Sequence, residues 1–146
     1  LTKLQMENEF KKKKFFFRIG IGRIFNYYYN SKKKGYFIND VLKKMKLKKK
    51  RLIFKGVDTT RDYIHIKDIC SALDHMITKK LKGDYNICSG KGLELKRIIK
   101  KINIKYKKNL NFIDTHQKGL IGDNSKLKRT GWKVLKKINY ENIVKY

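Results

Sequence analysis

Short apolar runs that end in turn residues alternate along this chain with stretches whose apolar residues recur every third or fourth position. That alternation limits the fold more than any other feature, because strands interleaved with helices specify an α/β architecture. Phe15 to Phe25 is the first run, apolar at Phe16, Phe17, Ile19, Ile21, Ile24 and Phe25. A run with so few polar positions suits a strand covered on both faces, as in a parallel sheet. Gly20 and Gly22 interrupt its regularity. Leu1 to Lys14, ahead of it, is expected to be a helix with an imperfect apolar side of Leu4, Met6 and Phe10.

Asn26 to Gly35 is expected to be a polar, aromatic loop. Helical spacing returns from Phe37 to Leu47 through Ile38, Val41, Leu42 and Met45, with Asn39 placed to cap it. Leu52-Ile53-Phe54 is a short strand ending at Gly56. Tyr63, Ile64 and Ile66 form another, which runs into a helix carrying Cys70, Ala72, Leu73, Met76 and Ile77, with Asp68 as its cap. Asp84 to Cys88 is a strand closed by the turn Ser89-Gly90-Lys91-Gly92, and a helix from Leu93 turns Leu95, Ile98, Ile99 and Ile102 inward. After Asn103 the pattern weakens. Leu110 to Ile113 is expected as a strand, Asn124 to Arg129 as a helix capped from Asp123 or Asn124, and Tyr140 to Tyr146 as a last helical turn or two. No internal repeat is visible.

The chain carries 39 basic against 12 acidic residues, a formal charge of +27, and 33 of the basic residues are lysine. Such an excess points to nucleic acid or an anionic membrane as partner. Two features favour a solvated surface shaped by composition instead. The lysines are spread along the whole chain, and the sequence runs to Lys, Asn, Ile, Phe and Tyr with no proline. The one stretch that interleaves aromatics with lysines is Phe25 to Tyr29 with Lys32 to Lys34, so nucleic acid is kept as a rival partner and not the leading one.

Cys70 and Cys88 lie eighteen positions apart with no CxxC and no neighbouring histidine pair, which indicates neither a zinc site nor a disulfide framework. Buried thiols of a reducing cytoplasm are the expected account. No apolar run approaches the length of a membrane-spanning helix, so no membrane partner is expected. A chain that opens on Leu1 without methionine is expected to be a fragment or a processed product.

Arg61 precedes the strand Tyr63-Ile64 and follows the polar turn Gly56-Val57-Asp58-Thr59-Thr60. A guanidinium there is well placed to hold an anion, because its fork matches phosphate oxygens two at a time.

Five segments in order resemble the second half of an extended short-chain dehydrogenase/reductase of the NAD-dependent epimerase/dehydratase family. Arg23-Ile24-Phe25-Asn26-Tyr27-Tyr28 resembles that family's R-x-F-N-x-Y strand end, and Phe37-Ile38-Asn39-Asp40 the start of its next helix. Gly56 to Asp68 resembles G-x(4)-RDYIHV-x-D, and Tyr85 to Gly92 resembles YNI-x-SGKG. Gly122-Asp123-Asn124-Ser125-Lys126-Leu127 with Gly131-Trp132 resembles GD-x-SKL…GW. Leu1-Thr2-Lys3-Leu4 is similar to the residues just after the tyrosine of the Y-x-x-x-K helix, which makes Lys3 that lysine.

The resemblance implies the last part of a Rossmann-like doubly wound sheet plus a small α/β substrate-binding region. Residues 1–28 would be the remainder of the NAD(P) domain and 29–146 the nucleotide-sugar region, with 61–88 returning to the main sheet. It implies NAD or NADP as cofactor, with Lys3 both catalytic and cofactor-binding: it holds the nicotinamide ribose and its charge favours the phenolate of the tyrosine. It assigns Asn26 and Arg61 to the diphosphate of a nucleotide sugar. The YNI-x-SGKG and GD-x-SKL segments look most like the GDP-sugar members, the GDP-4-dehydro-6-deoxy-mannose reductases and GDP-mannose 4,6-dehydratases. A homodimer in the cytoplasm is implied for the full-length protein.

Within the motif, His65 is read as a strand residue packing under the helix and Trp132 as core. The Ser89 to Gly92 loop lacks Walker spacing and is read as a turn. The chain departs from the family pattern where N-x-Y-G-P is expected, reading Asn26-Tyr27-Tyr28-Tyr29-Asn30, and where an arginine-proline pair is expected, reading Asp114-Thr115-His116-Gln117. It has no glycine-rich phosphate-binding turn, so this polypeptide by itself is expected to show no turnover. An inactive, truncated remnant of such an enzyme is the remaining alternative.

Overall fold

The computed structural model describes residues 2–13, 19–29, 35–136 and 138–141. Its backbone is organised around one extended stretch that changes partners halfway. Strand β1 (Gly20–Ile24) pairs in parallel with β5 (Gly83–Ile87), from Gly20↔Gly83 to Ile24↔Ile87. The Phe25 N–H donates to the Ile87 carbonyl at 3.1 Å, and the chain runs on as β2 (Asn26–Tyr28), now parallel to β4 (Thr60–His65). The expected loop from Asn26 is therefore strand for its first three residues. Tyr27 and Tyr28 are β-prone, and Tyr28 stacks edge-on against His65, its register partner, at 5.1 Å. Residues 15–18 of the expected strand, like residues 30–34 of the expected loop and the last five residues of the chain, lie outside the described residues.

Gly20 and Gly22 have a packing reason. A Cβ at Gly20 would lie 2.7 Å from the Leu81 carbonyl oxygen, and one at Gly22 would lie 2.8 Å from Ile87 Cδ1. Only glycine lets β1 sit this close to its neighbours.

Strand β3 (Arg51–Lys55) buries Leu52 and Phe54 on alternate positions and pairs in parallel with β7 (Asn109–Ile113). Strand β6 (Gly92–Glu94) runs antiparallel to β4, with Arg61↔Leu93. This strand replaces the expected first turn of the following helix, so α4 (Leu95–Tyr106) begins two residues later than its apolar spacing suggests. A local pattern cannot foresee the ladder with Thr60 and Arg61 that claims those residues.

Helix α1 (Lys3–Lys12) is closed by a capping box: Thr2 Oγ1 accepts from the Gln5 N–H and Gln5 Oε1 accepts from the Thr2 N–H. Helix α2 (Phe37–Met45) buries Ile38, Val41 and Met45. Its N-cap is Tyr36, and Asn39 lies inside the first turn instead of capping it. Helix α3 (Ile66–Thr78) is capped by His65, whose Nδ1 accepts from the Lys67 N–H at 3.1 Å. Asp68 is not the cap: fully buried, it accepts from the backbone N–H groups of Leu135 and Lys136 and ties the C-terminal segment to α3. Helix α5 (Ser125–Lys128) follows Asp123, whose Oδ1 accepts from the Ser125 N–H.

Adjacent residues of β4 enter two separate hydrophobic clusters, as the period of a strand requires. Tyr63 joins the cluster built by α2, β3 and α4, and Ile64 joins the one built by α3 and β5 with Leu127 and Trp132. Trp132 is core as expected, and its Nε1 donates to Ser71 Oγ at 3.0 Å. The fold class is α/β with parallel strand pairs and helices packed on the strands. Among the described residues, no helix is long and apolar enough to cross a membrane, and no group of histidine, cysteine or acidic side chains is arranged to hold a metal ion.

Candidate functional site

The partner switch between β1 and β2 opens a cleft of about 650 Å3 on whose wall Lys3, Phe25, Asn26, Tyr27, Tyr36 and Tyr63 meet. Lys3 comes from the first turn of α1 and is exposed. It makes no hydrogen bond or ion pair with another described residue. Its ammonium lies at the positive end of the helix dipole. Asn26 stands opposite Tyr63 in the β2–β4 register, and its Nδ2 donates to the Asp62 carbonyl at 3.2 Å. One amide N–H and the amide oxygen are left for another partner.

Arg61 is not on the wall of that cleft. Its Nη1 donates to Thr59 Oγ1 at 2.6 Å, to the Lys118 carbonyl at 2.8 Å and to the Thr60 carbonyl at 3.2 Å, while Nη2 donates to Gln117 Oε1 at 3.3 Å. Lys3 and Asn26 are thus brought together, and Arg61 faces the 117–118 segment.

That segment belongs to a strap, residues 114–122, fastened by the turn and strand before it. The Asp58 carboxylate accepts from the Thr115 N–H at 3.0 Å and from the His116 N–H at 2.6 Å, and the Thr115 bond holds the carboxyl below its ordinary range. Leu120 exchanges backbone hydrogen bonds with Thr60 and Asp62, and its side chain reaches the cleft. Asp62 is completely buried. Its two oxygens accept from the Ser89 N–H and Oγ–H, the Gly90 N–H and the Gly122 N–H, at 2.7 to 3.2 Å. It binds the Ser89 to Gly92 turn and the end of the strap to β4, a role that sequence reasoning did not assign. A charged residue between strand positions that both bury is the signal that could have found it.

Four aromatic hydroxyl groups sit at or beside the cleft. Tyr27 and Tyr36 share a hydroxyl–hydroxyl hydrogen bond of 2.7 Å, which raises the Tyr27 phenol above its ordinary value. Tyr29 stacks on Tyr27 at 6.2 Å between ring centres. Burial raises the Tyr63 phenol, so it stays protonated at neutral pH. Sequence reasoning passed over Tyr36 and Tyr63, because aromatic residues in a strand or ahead of a helix read as core.

The remaining candidates resolve as structural. Burial lowers the His65 pKa, and the neutral ring caps α3. Cys88 is buried and its thiol is pushed up to about 12 by burial and the nearby Asp62 charge. Cys70 is exposed, contrary to the expectation of two buried thiols, and both cysteines are free. Phe25 and Tyr27 face the cleft and Tyr28 is buried, while Lys32 to Lys34 lie outside the described residues. Of the described part of the proposed nucleic-acid stretch, Phe25, Tyr27 and Tyr29 are half-buried.

The family model for GDP-mannose 4,6 dehydratase matches residues 5–132. Among solved structures, the chain is similar to RMD from Pseudomonas aeruginosa complexed with NADPH, at 22% identity and TM-score 0.72 over 87% of this chain and 46% of that one. It is similar to TunA, an NAD-dependent NDP-hexosamine 5,6-dehydratase involved in tunicamycin biosynthesis, at 16% identity and TM-score 0.79 over 97% and 48%. It also resembles a dTDP-glucose 4,6-dehydratase from Bacillus anthracis in complex with NAD, at 22% identity and TM-score 0.68 over 86% and 43%. The chain spans less than half the length of each of these structures. No curated protein sequence matches it. With the family match running from α1 through Trp132 and the same fold shared by all three structures, the chain belongs to the GDP-mannose 4,6 dehydratase family of NAD-dependent epimerase/dehydratase proteins, the extended short-chain dehydrogenases/reductases.

Proposed function

We propose that this chain supplies the sugar-nucleotide side of an NAD(P)-dependent dehydratase, reductase or epimerase acting on a GDP-sugar. The observation that carries the reading is the convergence of Lys3 and Asn26, distant in sequence, on one cleft of about 650 Å3. That volume falls within the roughly 300–1,000 Å3 of ligand pockets. The cleft lies beside the C-terminal end of β1, the side on which open α/β sheets hold ligands.

The residues present suit one end of a dinucleotide. The exposed Lys3 ammonium at a helix N-terminus is a donor for ribose hydroxyls, and its charge favours the phenolate of a tyrosine one helical turn earlier in the family pattern. NAD(P), when bound, takes up hydride from a sugar carbon or delivers it there. Asn26 offers its spare amide groups to a diphosphate oxygen. Arg61 reaches the diphosphate by releasing Gln117 Oε1, its longest contact at 3.3 Å. By itself the 146-residue chain binds without turnover, since its sequence has no glycine-rich turn that opens a helix and Gly20-x-Gly22 lies within β1.

The test is calorimetric titration of the chain with GDP-mannose, UDP-glucose, dTDP-glucose and a single-stranded oligonucleotide. It is run at about 150 mM salt, where exposed charges are screened beyond about 8 Å. GDP-mannose should bind tightest. Arg61→Ala should weaken it by about tenfold or more, the loss expected for a charge-assisted hydrogen bond of about 1.5–3 kcal/mol. Tighter binding of the oligonucleotide than of any sugar nucleotide would reject the proposal.

A further inference from the structure

The lysines are spread along the sequence, but the fold gathers one set of them. The 46–51 connection from α2 into β3 holds five basic residues, the 105–108 segment at the end of α4 holds three, and neither holds an acid. Because β3 and β7 run parallel, with Arg51↔Asn109, the two segments meet at the same end of the strand pair. The Asn109 N–H donates to the Lys50 carbonyl at 2.9 Å, and the Lys108 ammonium donates to the Leu47 carbonyl at 2.8 Å. All these basic side chains are exposed except that of Lys108, which is half-buried. Among the described residues, none of them is in an ion pair.

The acids nearest in sequence stand at the opposite ends of the same four elements. Asp40 is in the first turn of α2 and Glu94 caps α4, while Asp58 and Asp114 follow β3 and β7. The corner therefore presents a field of one sign. It is also separate from the cleft, on whose wall none of its residues lies.

Two aliphatic side chains stand within that field. Leu47 is 48% exposed among the lysines, and Ile104 is 66% exposed in the last turn of α4, next to Lys105. The aromatic neighbours, Tyr106 and Phe112, are half-buried and pack against the core. The exposed side chains between the cations are thus aliphatic and not aromatic, which suits a bilayer interface better than the stacked bases of a single strand. Lysine point charges suit lipid headgroups too, and Arg51 is the corner's one guanidinium fork of the kind that reads base edges. Contact of this kind needs no spanning helix.

We infer that the corner formed by residues 46–51 and 105–108 is a docking surface for an anionic lipid bilayer, with the lysines at the headgroups and Leu47 and Ile104 at the acyl boundary. The inference is independent of the cleft and of any ligand bound there.

The experiment sediments the 146-residue chain with vesicles of phosphatidylcholine, alone or with about 30% phosphatidylserine, at about 150 mM salt. Polyuridylate, titrated by fluorescence anisotropy, serves as the competing polyanion. The chain should pellet with the serine-containing vesicles and stay in solution with the others. Lys48→Ser, Lys49→Ser and Lys50→Ser together should weaken vesicle binding by about tenfold or more, since each lysine near an anionic surface contributes about fivefold. The urea midpoint should not change. Lys79→Ser, Lys80→Ser and Lys82→Ser, which remove the same charge between Asp74 and Asp84, should weaken binding much less. Leu47→Ser should weaken vesicle binding by about threefold or more and leave polyuridylate binding unchanged. No binding to serine-containing vesicles, or equal binding to both kinds, overturns the inference. Equal losses in the two triple variants also overturn it, because net charge alone would then be responsible. Vesicle binding unmoved by Leu47→Ser, with polyuridylate held more tightly than vesicles, overturns it in favour of a nucleic-acid surface.

Discussion

Helices α1 and α4 are both rich in lysine and similar in length, ten and twelve residues, but they are held in opposite ways. α4 buries Leu95, Ile98, Ile99 and Ile102, with Ile98 and Ile99 completely enclosed. α1 buries nothing, and Leu4, Met6 and Phe10 stay at least 49% exposed. The side-chain bonds described between it and the strands are ionic. Arg23 of β1 grips the Glu7 carboxylate through Nε and Nη2 at 2.6 to 3.1 Å, and Arg23 and Lys11 converge on Asp84 of β5 at 2.8 and 2.5 Å. The helix that carries Lys3 is therefore the weakly fixed one, and the helix with no part in the cleft is the firmly fixed one. Surface ion pairs are screened by salt and contribute little each, while enclosed aliphatic side chains contribute several kcal/mol. The candidate catalytic lysine thus rides on an element that can loosen without unfolding the rest.

The largest expected effect comes from attacking α4. Ile98→Ala should cost about 2–5 kcal/mol, read as a lower urea midpoint for the whole domain. A drop under about 1 kcal/mol would mean α4 is no better anchored than α1. Arg23→Ala should move the global midpoint much less, but should speed amide exchange across residues 3–12 and mimic the effect of high salt on the wild type. Uniform acceleration across α1 and α4 would erase the distinction.

The mildest probe is pH. The Arg23 hydrogen bond lowers the Glu7 pKa, and the Lys11 hydrogen bond lowers that of Asp84. An acid with a depressed folded-state pKa stabilises fully above its unfolded value, about 3.9–4.3 here, and that stabilisation is lost as pH falls through the folded value. Acidification below about pH 4 should release α1 before α4, measured as exchange protection or chemical shift helix by helix. Simultaneous loss would show that the ion pairs do not act locally.

Most helices and strands were legible from the residues, because each segment's apolar spacing states which face it must bury. The spacing of Ile98, Ile99 and Ile102, the alternation of Leu52 and Phe54, and the burial of Trp132 follow from that local rule. Roles that depend on partners far along the chain were not legible. Asp68 reads as a helix cap but serves backbone groups of residues 135 and 136, and His65 does the capping. Leu93 reads as the start of a helix but belongs to a strand that Arg61 completes.

The site divides along the same line. Sequence by itself determined that Lys3, Asn26 and Arg61 stand in family-like segments, and that the chain alternates strand and helix. Only the tertiary structure decided that the 20–28 stretch trades β5 for β4, and that this exchange opens the cleft joining Lys3 to Asn26. It also decided that the Arg61 fork is occupied by the strap and that the Tyr63 hydroxyl bonds no other described residue. The physical reason is range. Apolar periodicity is fixed by neighbours three or four residues away, whereas a hydrogen bond is satisfied by whatever the fold brings within about 3 Å.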